Sequence, residues 1–384
     1  MGQKLSAMTY IKNNKRKVSV LVISMAMCLA LFYLTQFLLT VSVETFRVFL
    51  VEQAKTVQYF RLPASAFDVD FSQMSEEEAY EKLALGHEEL VARLEEVEGV
   101  KKAYYTDIGR ATVSAVIGQY QVTFPFLPES EIDEYMEHCG VELIEGTLPK
   151  EENDIILSEN ILKNISLKLG DEISGMKIVG VTDDNYYFGC GVREQATLGN
   201  QWICVLMDGS IEDLSAVVRQ LGYEYDEKDA YFDDVKNGEH NLKMDVVDAI
   251  EFSMNLIYIG IVCVVSILVL IVYVSYMRDR RNEWCLYSSI GFSRKEIYAA
   301  IMRELLFTFV VALAGAVVIS VVGMLALDAL MIDAQGLKCR YWHADTVLEC
   351  MTVLVVVMGL LQIPIRYALY KIRTIDAMDD ELNA

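Results

Sequence analysis

The 384-residue sequence predicts an α-helical membrane protein: four transmembrane helices, with a large α+β extracytoplasmic domain inserted between helices 1 and 2. Three observations predict it. Four apolar runs, Val18–Val41, Phe252–Met277, Leu305–Leu327 and Val347–Ile365, come near or above the roughly 20 residues that cross about 30 Å of hydrocarbon. About 210 residues separate the first run from the second, whereas the last three are clustered. Basic residues gather beside the runs, and acidic residues fill the long insert.

Charge sets the expected orientation. Residues 1–17 carry Lys4, Lys12, Lys15, Arg16 and Lys17 and no acid; the loop Arg278–Glu304 carries six basic groups; Arg366, Lys371 and Arg373 follow the fourth run. The positive-inside rule then puts both chain ends and that loop in the cytoplasm. The expected organisation is a cytoplasmic N-terminus with helix 1 over 1–42, an extracytoplasmic domain over 43–250, and a three-helix permease domain over 251–384. The last part holds the cytoplasmic loop 278–304 and a cytoplasmic C-terminus, and the short loop Asp333–Thr346 lies outside. Residues 42–250 hold 42 acids against 17 bases, so the chain's net charge of −22 belongs to the insert. Such a surface disfavours nucleic acid and anionic headgroups and suits cationic partners, although solubility alone accounts for it. The first run exceeds a signal-peptide core in length and lacks a nearby small-x-small cleavage site, so it reads as an uncleaved anchor.

Within the insert, Ser75-Glu76-Glu77-Glu78 is a capping-box pattern that opens a helix to about Glu96, with Leu83, Leu90 and Leu94 among its apolar positions and Gly99 ending it. Runs rich in β-branched and aromatic residues predict strands at Lys102–Thr106, Ala111–Ile117 and Tyr120–Phe126. A short acidic helix over Glu129–His138 precedes strands at Val141–Ile144, Asp154–Leu157, Lys177–Val181 and Trp202–Met207, then a helix at Ile211–Leu221. From Lys243 a helical pattern runs without glycine or proline to Tyr258, so helix 2 is expected to project outward as a continuous stalk. Cys139, Cys190, Cys204 and Cys339 are external and could form a disulfide, but no spacing marks a framework or a zinc site. The four histidines are scattered and read as surface residues.

The loop between runs two and three carries the sharpest local signal. Asn282–Ile290 reads as a short helix, Gly291 stands where a left-handed residue is wanted, and Ser293 with Glu296 three residues on forms a second capping box. The second helix enters run three, and two helices held by a two-residue joint make a lever; a plain helical hairpin fits the same pattern. In run three, Ala312, Ala316 and Ser320 form an i, i+4 ridge beside Gly315 and Gly323, suited to close helix packing in lipid.

Here the chain resembles the MacB/FtsX-like permeases, the four-span membrane subunits of type VII ABC transporters. The loop is similar to that family's R-x-E-I-G-(x)4-L-G-A-S-(R/K) stretch, with Glu283, Gly291, Ser293 and Arg294 matching. Trp284 replaces the isoleucine and Cys285 the first glycine. Gly146–Pro149, Asp154–Glu159 and Leu167–Ile173 resemble the family's outer-domain motif, and Pro364–Ala368 with Ile375–Met378 resembles the end of its last span. The resemblance implies a non-catalytic subunit in a bacterial cell membrane, paired with a second permease copy or paralogue and with a cytoplasmic ABC ATPase. ATP and magnesium would bind that ATPase, leaving no cofactor or metal in this chain. Its ATPase-coupling residues would be Glu283, Trp284, Leu286, Tyr287, Gly291, Ser293 and Arg294.

No G-x-x-x-x-G-K-[ST], H-E-x-x-H or G-x-S-x-G occurs, so no catalytic residue is assigned. Three functions fit. The favoured one couples a separate ATPase to motion of the outer domain, exporting a peptide, lipid-linked molecule or drug by mechanotransmission. A second uses the same machinery to activate an extracellular partner such as a cell-wall hydrolase. A third is a ligand sensor.

Overall fold

The computed structural model of the chain describes residues 15–116, 118–183, 187–194, 202–241, 248–338, 341 and 344–371. They form two compact units. A helical unit comprises Met1–Leu38, Phe252–Leu327 and Tyr341–Ala384, and an α+β unit comprises Leu39–Glu251 together with Asp328–Arg340.

In chain order the elements are α1 (Lys15–Arg47), β1 (Val57–Arg61), α2 (Glu76–Glu95), β2 (Val100–Thr106), β3 (Ile108–Ser114), β4 (Gln119–Leu127), α3 (Ile132–Cys139), β5 (Leu143–Gly146) and β6 (Asp154–Ser158). There follow α4 (Glu159–Ile165), β7 (Glu172–Ile173), β8 (Met176–Thr182), β9 (Gly189–Val192), β10 (Trp202–Met207), α5 (Leu214–Gln220), β11 (Tyr231–Asp233) and α6 (Val235–Asn241). Three long helices complete the chain: α7 (Asp248–Ser289), α8 (Arg294–Leu327) and α9 (Ala344–Lys371).

The α+β unit is built on two sheets. The first has strand order β11-β1-β10-β2, and all its pairings are antiparallel. Its central strand β10, Trp-Ile-Cys-Val-Leu-Met, is buried at every position because both faces are covered. Ile203, Val205 and Met207 face Leu83, Leu90 and Leu94 of α2 and Leu214 and Val218 of α5. Trp202, Cys204 and Leu206 face the opposite core, with Tyr135 and Met136 of α3 and Phe188 and Cys190. The second sheet runs β3-β4-β9-β6-β8-β5, with parallel pairings of β4 to β9 and β6 to β8. Ser75 caps α2 as the capping box requires, its hydroxyl accepting from the Glu78 N–H at 3.3 Å.

Several expectations need correction. His87 is not a surface residue: it is buried in the stripe Leu83-His87-Leu90-Leu94, its ring against Phe67 and Tyr105 and its Nδ1 2.7 Å from the Leu83 carbonyl. Cys139, Cys190 and Cys204 are free thiols in one core, and burial pushes the Cys139 thiol up to about 12, far from the reactive thiolate. Cys339 lies outside the described residues.

A second chain segment completes the α+β unit. After α8, the chain continues as a π-helical turn over Asp328–Ile332 and a 3-10 turn over Asp333–Gln335, and Ile332 and Leu337 become buried. Lys163 Nζ lies 3.4 Å from Asp333 Oδ1, Asn164 Nδ2 donates to the Gln335 carbonyl at 2.8 Å, and the Tyr187 hydroxyl donates to the Gly336 carbonyl at 3.2 Å. Thr45 Oγ1 donates to the Lys338 carbonyl at 3.3 Å. Gly336 has φ +60°, and a Cβ there would stand 2.2 Å from the Asn160 carbonyl oxygen, so only glycine fits.

Among the described residues, three helical segments are long and apolar enough to cross a membrane: Val18–Lys55, Arg294–Gln335 and Met351–Tyr370. The remaining predicted run, Phe252–Met277, falls within α7, a single 42-residue helix. The predicted stalk start at Lys243 lies outside the described residues. Val20, Leu31, Val310, Val318, Val322, Val355 and Ile363 are exposed on these helices, as hydrocarbon-facing residues are. Inward, Ala26 and Ala30 of α1, Val269 and Tyr273 of α7, Leu305, Phe309, Ala312 and Ala316 of α8, and Val357, Leu361 and Ile365 of α9 share one core.

Candidate functional site

The predicted short helix Asn282–Ile290 is not separate. With no glycine or proline between Met277 and Ser289, nothing breaks the hydrogen-bond ladder, and α7 runs straight through to Ser289. Its end is closed by a full Schellman motif: the Phe292 N–H donates to the Tyr287 carbonyl at 3.1 Å and the Gly291 N–H to the Ser288 carbonyl at 3.1 Å. Gly291 is at φ +101°, and the rings of Tyr287 and Phe292 meet edge-on at 6.1 Å, the apolar contact that accompanies this cap. The next helix starts at once. Ser293 Oγ accepts from the Glu296 N–H at 3.3 Å, and Glu296 Oε2 accepts from both the Ser293 N–H and its hydroxyl at 2.8 Å. Two caps back to back fix the angle between α7 and α8.

Helical periodicity divides the end of α7 into two faces. Tyr273, Tyr276, Met277, Arg280 and Trp284 point inward, and Asn282, Leu286, Ser289 and Ile290 point outward. Leu286 is 59% exposed and Ile290 66%, an i, i+4 aliphatic pair. Glu283 borders this face, and Tyr287 is half-buried beside it. Ser293 and Arg294 are exposed just past the turn. Trp284 is 2% exposed and belongs to the core, which removes it from any docking surface.

Beneath the turn lies an ion pair that sequence reasoning missed. Arg280 Nη1 bonds Glu304 Oε2 of α8, and the Tyr276 hydroxyl donates to Glu304 Oε1. Both charged side chains are almost fully buried. Arg280 Nε also reaches Glu283 Oε2 at 3.3 Å, and its guanidinium lies 5.8 Å from the Tyr276 ring and 5.9 Å from the Trp284 ring. The exposed end of α7 is therefore pinned to α8 by charge as well as by packing. The available signal was Trp284 and Arg280 sharing the i, i+4 row of buried tyrosines, on a helix with no interior breaker.

The small residues of α8 also find their partners within the chain. Ala312, Ala316 and Ser320 are buried, and Cβ atoms added at Gly315 and Gly323 would meet Ala26 at 3.3 Å and Leu34 at 2.7 Å. Gly315 and Gly323 therefore lie against α1.

In the α+β unit a cleft of about 480 Å³ is lined by Arg219, Tyr225, Glu227, Tyr231, Lys236 and His240, among others. Arg219 pairs with Glu227 at 2.8 Å and Lys236 with Asp213 at 2.5 Å, so its charges largely cancel. Nearby, burial together with neighbouring Asp234 raises the Asp233 carboxyl to about 6. No group of three or more His, Cys, Asp or Glu able to hold a metal occurs among the described residues.

Residues 255–377 match the FtsX-like permease C-terminal family. No curated protein sequence matches the chain. Among solved structures it is similar to the periplasmic region of MacB from Actinobacillus actinomycetemcomitans, at 13% identity over 50% of this chain and 95% of that one, with a TM-score of 0.27. It is also similar to the extracellular domain of the noncanonic ABC-type transporter YknZ from Gram-positive bacteria, at 13% identity over 46% of this chain and 98% of that one, with a TM-score of 0.25.

Proposed function

We propose, for a membrane protein whose residues 255–377 are an FtsX-like permease C-terminal domain, that the chain is the permease subunit of an ATP-driven complex. It spans the membrane four times with both ends in the cytoplasm, and the turn between α7 and α8 docks on a separate ABC ATPase that holds ATP and magnesium. Two permeases, identical or paralogous, receive the two ATPase subunits. Closure of the ATPases displaces the turn, and α7 passes the motion to the α+β unit outside, expelling a peptide, lipid-linked molecule or drug.

One observation carries this reading. The end of α7 presents an exposed Leu286–Ile290 pair on a doubly capped turn, anchored from below by buried Arg280 and Glu304. Exposed aliphatic side chains on a rigid support suit a hydrophobic groove, and burying each stabilises a complex by about 1.5–3 kcal/mol. Glu283 at the rim supplies the register.

The test is co-purification of the full-length chain with its ATPase in mild detergent. Leu286→Asp with Ile290→Asp is expected to weaken association about a hundredfold and to abolish ATP-dependent output, while the chain still inserts. Wild-type association in that variant would reduce the turn to a connector. In an intact complex, loss of an exported compound from the medium marks transport, whereas an inactive extracellular enzyme with unchanged export marks partner activation.

A further inference from the structure

We propose that the cleft between the start of α8 and the end of α9 holds the phosphate of an anionic phospholipid. It has a volume of about 370 Å³ and is lined by Arg294, Lys295, Tyr298, Arg366, Leu369 and Tyr370. Three of these six side chains are cationic and none is acidic. Glu296, the nearest acid in the sequence, is turned back onto Ser293, whose N–H and hydroxyl it accepts at 2.8 Å. Among the described residues no carboxylate pairs with Lys295 or Arg366. The positive end of α8 adds to the same field.

The walls point to a lipid rather than a free anion. Leu369 is buried at the base, and Tyr367 and Tyr370 stand exposed beside Arg366, at 66% and 79%. Tyrosine and basic residues at the end of apolar helices occupy the headgroup layer. The Tyr298 hydroxyl donates to Gln362 Oε1 at 2.7 Å and ties α8 to α9, holding the cleft open at a set width. A free phosphate would satisfy the cations and leave the rings and Leu369 in water. A phospholipid satisfies both, and basic pockets between transmembrane helices at the cytoplasmic face take anionic headgroups in this way. The assignment to the inner leaflet rests on the orientation proposed above; the chemistry of the cleft does not.

The experiment uses the full-length chain alone in mild detergent, so a failure of ATPase docking leaves it unaffected. Phosphatidylglycerol is expected to raise the melting temperature, whereas phosphatidylcholine and inorganic phosphate at equal concentration are not. Each cation near an anionic surface changes affinity about fivefold, so Lys295→Gln with Arg366→Gln should raise the half-maximal phosphatidylglycerol concentration about 25-fold. Arg294 is left in place because it borders the docking turn. Arg366→Lys should keep the response, and so should the charge-matched control Lys15→Gln with Arg16→Gln. Equal shifts with the two lipids overturn the proposal, as does a phosphate effect that matches phosphatidylglycerol. An unchanged response in the double variant overturns it too, and so does an equal loss in the control. The orientation fails separately, if a thiol introduced at Arg294 is labelled from outside intact cells.

Discussion

At Gly291, φ +101° is the whole constraint: no described atom lies within 4 Å of where a Cβ would stand. Gly291→Ala is therefore expected to cost about 1–2 kcal/mol from backbone conformation alone, and Gly291→Val more. Because the strain falls on the turn between α7 and α8, ATPase stimulation should drop while membrane insertion is kept; unchanged stimulation in both variants would show that the turn angle is irrelevant. This residue was legible in the sequence, since a glycine after an unbroken helix and before Ser-x-x-Glu leaves few alternatives. His87 was not, because histidine is read as polar, although its place on the Leu83-Leu90-Leu94 stripe was visible. Its burial holds the imidazole below its usual range. As pH falls the unfolded chain takes up the proton first, so stability contributed by this site is full above about 6.5 and is lost below it. Asp233, raised to about 6, acts with the opposite sign between its unfolded value and 6. The useful measurement is therefore the difference in melting temperature between wild type and His87→Phe from pH 7.5 to 5.5, which should shift steadily in favour of the variant. A constant difference would mean that His87 titrates normally.

Among the elements, β10 was placed without error and α2 to within a residue, whereas β3 runs Ile108–Ser114 rather than from Ala111, and β1, β7 and β11 were not predicted. Strand β9, Gly-Cys-Gly-Val, was missed because its glycines signal a turn. Their role is spatial: a Cβ at Gly189 would stand 2.8 Å from the Phe124 ring, and one at Gly191 would stand 2.4 Å from the Phe126 ring. The contact that locks α7 to α8 was missed for a different reason. Arg280 and Glu304 lie 24 residues apart, and sequence spacing cannot pair them across a turn. Removing one partner from such a buried pair costs about 3–5 kcal/mol, whereas replacing both by apolar residues of similar volume is often close to neutral. Glu304→Gln and Arg280→Met should each lower the melting temperature of the detergent-solubilised chain markedly. Arg280→Met with Glu304→Leu should recover most of the loss. Additive losses in the double variant would show that the two side chains act independently.

For the whole molecule, the apolar runs pointed to a helical part with an inserted α+β part, because the hydrocarbon length requirement leaves few readings of such runs. The sequence did not reveal that the α+β unit is discontinuous. Asp328–Arg340 carries no strand pattern of its own, and three of its hydrogen bonds are accepted by its backbone carbonyls, which any sequence would supply. The consequence is practical and concerns where the protein can be cut. A recombinant soluble fragment spanning 43–250 follows chain order yet omits Ile332 and Leu337, together with the carbonyl partners of Asn164 and Tyr187. Returning two aliphatic side chains to water costs about 3–6 kcal/mol. Such a fragment is expected to melt well below one in which residues 328–340 are rejoined through a flexible linker. A synthetic peptide of that sequence, added in excess, should restore part of the difference by mass action. If both fragments melt together and the peptide has no effect, the docked segment makes no net contribution. If they separate, structural and binding work on the soluble part needs this distant strip of chain as an integral piece.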